Sequence, residues 1–151
     1  MILYAEQPKN PMHPRPNAPG LECGVTEPMI RDLVHAFYAK VRRDGLLGPI
    51  FNAVIEDWDE HLDRLCAFWS SVTLTTGRYK GRPVPAHIKL PGISNQHFAR
   101  WLALFAETAR EICPPAAADV FIERSKRIAQ SLQFAIAFHR GEPIEVRHEP
   151  A

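Results

Sequence analysis

Four side chains in this 151-residue sequence have types and positions that suit joint chemistry: Tyr38, His61, His87 and Trp101. His87 stands in the stretch GRYKGRPVPAHIKLPG (77–92), between Pro85 and Pro91. The prolines and glycines there exclude a long helix or a central strand and leave room for at most one turn around 86–90. A histidine so placed is either a solvated loop residue or a ligand held on a short, stiff segment. His61 falls three residues after Trp58 and four before Leu65, on the apolar side of a helical stripe. Its ring needs a partner there, a backbone carbonyl or a bound group. Tyr38, beside Phe37, brings a hydroxyl to the edge of a second stripe, and Trp101 brings an indole N–H from a third. Singly, each is an ordinary core or boundary residue. As a set they suit a flat apolar cofactor with a metal at its centre. Haem iron takes a neutral imidazole on one face and needs a small pocket with a few donors on the other. His87 suits the first role, and Tyr38, His61 and Trp101 suit the second.

The elements that position these residues read as helices. The spacing Ile30, Leu33, Val34, Phe37, Val41 predicts a helix that starts at an N-cap Thr26, carries Pro28 in its first turn and ends at Asp44-Gly45. LLGPIF follows as an apolar corner around Gly48-Pro49. A second helix, about 57–74, has the stripe Trp58, Leu62, Leu65, Trp69, Val72, with Asp57, Asp59 and Glu60 at its positive end. The connection that carries His87 is about 19 residues long, a length that usually marks function or disorder. A third helix begins at Ser94 and carries Phe98, Trp101, Leu102, Phe105 and Ile112 until Pro114-Pro115 stops it. A fourth runs from about Ala117 to His139 with Gly141 as its stop. No stretch reads as a convincing strand, and there is no internal repeat. The chain divides into a proline-rich N-terminal arm (1–25), a single all-α domain (26–140) and a C-terminal tail (141–151).

Composition narrows the function classes. The net charge is +1 and the basic residues are scattered, so the electrostatic footprint of a nucleic-acid binder is missing. Arg42-Arg43 and the run RYK (78–80) read as solvated surface. No apolar run reaches the roughly 18 residues of a membrane span, and the first residues lack the pattern of a secretory signal. Cys23, Cys66 and Cys113 are odd in number and far apart, which fits reduced thiols in a cytoplasm.

Four segments, FYAKVRRDGLLGPIF (37–51), EDWDEHLDRLCAFWSSV (56–72), GRYKGRPVPAHIKLPGI (77–93) and HFARWLALFAET (97–108), resemble the group III truncated haemoglobins in order and spacing, over about residues 26–139. The resemblance implies a truncated globin, a two-over-two helical sandwich holding haem b, with the first globin helix nearly absent. His87 in PAHIKLP then matches the proximal iron ligand, on a short, partly helical segment. Tyr38 matches the distal tyrosine, His61 the distal-helix position facing the ligand, and Trp101 a tryptophan whose N–H points into the distal cavity. Trp69 is assigned to the pocket wall. Phe37, Leu65, Tyr79, Ile93 and Phe98 are the expected haem contacts, with Thr73 and Arg82 departing from the family pattern near the haem edge. His97 competes with His87 but lies in the first turn of a regular helix, which makes it a surface or propionate-side residue.

The function that follows is tight, slow-release binding of a diatomic ligand (dioxygen, carbon monoxide or nitric oxide) at a five-coordinate iron, served by an unidentified reductase. The alternative is a haem enzyme for peroxide or nitric oxide and reactive nitrogen chemistry at the same iron. A cofactor-free helical interaction module is the third class, and it requires the four polar residues to be unrelated.

Overall fold

Thr26 opens the first helix as its sequence predicts. Its backbone is extended, its hydroxyl accepts the Met29 N–H at 3.3 Å, and Pro28 sits in the first turn. The computed structural model describes residues 17–81 and 92–141. Within them it forms five helices: α1 (Glu27–Arg43), α2 (Gly48–Val54), α3 (Trp58–Leu74), α4 (Asn95–Ile112) and α5 (Pro115–Arg140). There is no strand among the described residues.

The apolar corner LLGPIF is a helix, α2, rather than a bare turn. Local chemistry explains it. The Asp44 carboxylate accepts the N–H groups of Leu46 and Leu47 at 3.1 and 3.0 Å, and Pro49 is tolerated in the first turn. The chain turns so tightly that a side chain at Gly48 would meet the Arg42 carbonyl at 2.8 Å. Seven residues are too few to hold a helix in water, so α2 depends on packing Phe51 against α1.

α3 is capped by Asp57, which accepts the Glu60 N–H at 3.2 Å, and ends on Thr75 in a left-handed conformation. Ser94 caps α4, and the ring of His97 completes the cap: its Nδ1 accepts the Ser94 N–H at 3.1 Å. His97 is thus occupied in closing a helix end. α5 begins two residues before the expected Ala117, at Pro115, and stops at Gly141 with φ of 69°.

α1 is the hub, packing against α2, α3 and α4, while α4 lies along α5 and α3 also meets α5. The pair α1/α3 thus rests on the pair α4/α5, the two-over-two sandwich expected from the sequence. A polar clasp fixes the far end of α3. Glu27 accepts from Ser70 and from Arg78, and the Ser70 and Thr76 hydroxyls bond at 2.7 Å. Residues 17–25, the end of the arm, dock onto the same place. The Gly20 N–H donates to the Thr73 carbonyl at 2.7 Å, and a side chain at Gly20 would meet that oxygen at 2.9 Å. Cys23, Cys66 and Cys113 are all free thiols. No described helix is long and apolar enough to cross a membrane.

Candidate functional site

α1 presents two adjacent aromatic residues to the interior, Phe37 and Tyr38, both essentially without solvent contact. Phe37 is the junction. Its ring meets Tyr38 at 4.7 Å, Phe105 at 5.1 Å and Trp101 at 5.4 Å, each edge to face. From there the rings divide into two groups.

On one side Trp101, Phe105 and Trp69 form a stack. Trp101 and Phe105 lie within 8° of parallel at 5.3 Å, and Phe105 and Trp69 within 13° at 4.9 Å. Trp101 and Phe105 are four apart on α4, the spacing that brings side chains over one another, and Trp69 reaches them from α3. Phe121 of α5 and Phe68 close edge-on against Trp69. Trp69 is therefore held among aromatic rings in the core.

On the other side Tyr38 and His61 share a neighbour, Trp58. Its ring centre is 6.1 Å from Tyr38 and 6.0 Å from His61. Phe51 of α2 packs on Tyr38 at 5.9 Å. His61 is only 5% exposed, so the apolar stripe carries it inward as its spacing predicts.

The electrostatics of the group are those of side chains buried out of water. Burial pushes the Tyr38 phenol far above its usual range, and the nearby indole N–H of Trp101 offsets part of that rise. The Trp101 N–H is itself buried with no hydrogen-bond partner. A buried donor in this state costs about 1–3 kcal/mol. Tyr79 is a second such case. Its ring packs on Phe68 at 5.3 Å and its N–H donates to Ser71 Oγ at 2.8 Å, yet its hydroxyl is buried without a partner. Burial also raises its pKa, which keeps it a neutral phenol.

Of the residues expected at the site, Phe37, Tyr38, His61, Leu65, Trp69, Ile93, Phe98 and Trp101 are buried and Tyr79 is half-buried. Phe37 and Trp58 link Tyr38, His61 and Trp101 into one continuous cluster. The Ile93 carbonyl accepts from Arg140 at 3.0 Å, which ties the chain before α4 to the end of α5. His87 and Arg82 lie outside the described residues. Among those described, no three metal-binding side chains come together.

Sequence reasoning placed Phe105 and Trp58 only in apolar stripes and saw Phe51 only as part of a corner. For Phe105 the usable signal was its offset of four from Trp101, and for Trp58 its offset of three from His61. An open depression of about 610 Å³ between the start of α1 and α3, lined by Glu27, Arg31, Glu60, Asp63, Cys66 and Arg78, holds none of the expected site residues.

No family model matches the chain. It is 35% identical to a group 3 truncated haemoglobin of Campylobacter jejuni over 113 residues, 72% of this chain and 89% of that protein. The crystal structure of the group III truncated haemoglobin from Campylobacter jejuni superposes with a TM-score of 0.71 at 34% identity, covering 74% of this chain and 91% of that one. The group II truncated haemoglobin from Bacillus anthracis shares the fold with a TM-score of 0.61 at 23% identity, over 78% of this chain and 92% of that one.

Proposed function

Since this chain belongs to the group III truncated haemoglobins, we propose that it binds haem b through His87 and retains a small diatomic ligand, such as dioxygen, by donors from Tyr38 and Trp101. When bound, haem supplies an iron with one face for a neutral imidazole and the other for a small ligand. The observation that carries the reading is the buried, unpartnered N–H of Trp101. A stacked indole cannot turn away to find water, so its donor waits for an acceptor inside the protein. Tyr38, kept neutral by burial, retains its proton and is able to donate. A hydrogen bond to a polarised acceptor contributes about 1.5–3 kcal/mol, so two of them slow ligand release by orders of magnitude. His61 stands beside this pair as the third polar wall. The aromatic stack, with Leu65 and Phe98, keeps water out and lines the apolar faces. Such a site suits retention or chemistry on the ligand rather than bulk transport, with a reductase maintaining the ferrous state.

The test is the absorption spectrum of the purified protein and of His87→Ala, before and after dithionite and then carbon monoxide. The expected result is an intense Soret band that shifts with carbon monoxide and is weak or altered in the variant. Absence of a Soret band after added hemin overturns the reading.

A further inference from the structure

At the corner where α1, α2 and α3 meet, the half-buried ring of Trp58 has a cation on it. The guanidinium carbon of Arg42 lies 4.7 Å from the ring centre. From sequence Arg42 reads as solvated surface, and among the described residues it has no ion pair to compete for its charge. Its backbone is anchored, because the Arg42 carbonyl accepts from Asn52 Nδ2 of α2 at 3.1 Å. Trp58 also contacts Tyr38, at 6.1 Å and 47°, and His61, at 6.0 Å and 83°. Side chains on a helix lean towards its N-terminus. His61 therefore leans over the turn that carries Trp58, the first residue of α3. The Trp58 ring thus touches both side chains, and a shift of it is felt by His61 and by Tyr38.

We propose that Trp58, clamped by Arg42, is a positioning residue that sets where Tyr38 and His61 stand and thereby how fast a small ligand reaches and leaves the distal pocket. The proposal rests on the haem-protein reading above. Trp58 and Arg42 act through their neighbours rather than by touching the ligand. The guanidinium is exposed, so the clamp has the modest strength of a surface cation–π contact, equivalent to about a two- to fivefold change in a rate.

The experiment compares Arg42→Met, which keeps an aliphatic stem without the charge, with Arg42→Lys, which restores a cation. Carbon monoxide association after flash photolysis is expected to be about two- to fivefold faster in Arg42→Met and near the wild-type rate in Arg42→Lys. In a His61→Ala background, Arg42→Met is expected to add less, only the part that acts through Tyr38. The indole N–H resonance of Trp58, identified by its loss in Trp58→Phe, should shift in Arg42→Met and return in Arg42→Lys. Unchanged rates in Arg42→Met, or the same acceleration with and without His61, overturn the proposal while a normal Soret band leaves the haem reading standing. Absence of the Soret band defeats both.

Discussion

The stack of Trp69, Phe105 and Trp101 and the corner of Tyr38, Trp58 and His61 both begin at Phe37, yet they are packed in opposite ways. In the stack the rings are nearly parallel, fully enclosed and drawn from two long helices. In the corner they are tilted, one is half-buried, and the outermost contact is a solvent-exposed cation. Trp101 is stacked on Phe105 and met edge-on by Phe37, which holds its ring and its N–H in one orientation. A ring held on one face by an exposed arginine is adjustable. On the proposed reading, the pocket joins one fixed donor to a wall adjusted by a weak surface contact, and retention and access fall to different parts of the molecule.

The contrast predicts effects of very different size. Phe105→Ala removes the middle of the stack and should cost about 3–5 kcal/mol in urea unfolding, since Trp69 and Trp101 both lose their packed face. Trp101→Phe keeps a stacked ring and removes only the donor. Stability should change little, because the N–H has no partner to lose. Dioxygen release followed by stopped-flow should accelerate about 10- to 100-fold. An unchanged release rate would remove Trp101 from the retaining role. The corner side of the molecule is tested through Asp44, which holds the turn into α2 and pairs with Arg100 of α4 at 2.7 Å. The Arg100 guanidinium, with the N–H groups of Leu46 and Leu47, holds the Asp44 carboxyl below the usual carboxylate range. A depressed pKa in the folded state means stability that is present above the unfolded value, about 4, and lost as pH falls through the folded one. Wild type should therefore lose stability on acidification below about pH 4 more steeply than Asp44→Asn, which should itself cost about 0.5–1.5 kcal/mol at pH 7 through weakened hydrogen bonds in the turn. The smallest effect belongs to Tyr79. Its hydroxyl has no partner, so Tyr79→Phe should leave the thermal midpoint of the haem-free protein unchanged or slightly raised.

Four of the five described helices were legible because their stripes and caps agree. Thr26, Asp57 and Ser94 each stand before a run of apolar residues at helical spacing. α2 was not, because Gly48-Pro49 reads as a turn and a seven-residue helix carries too little local signal. Its existence depends on Phe51 finding Tyr38, a contact that no local pattern contains. The same limit applies at the site. Spacing alone aimed Tyr38, His61 and Trp101 inward, since each shares a face with known apolar neighbours. The stack was invisible, because Trp69 and Phe105 lie on helices far apart in sequence and a stripe says nothing of ring orientation. Arg42 over Trp58 was invisible for the same reason, and an arginine on a helix end is read as solvated by default.

The ring contacts have an optical consequence. Trp58, Tyr38, Phe37, Trp101, Phe105 and Trp69 form an unbroken chain of neighbours, and it contains all three tryptophans of the sequence. Tryptophan emission, excited selectively at the red edge of the absorption band, therefore originates in one neighbourhood. Two of its three emitters are enclosed and should glow at short wavelength, while Trp58, open to solvent on one side, supplies the red edge. The colour balance of the intrinsic fluorescence is thus a built-in gauge of the corner against the stack.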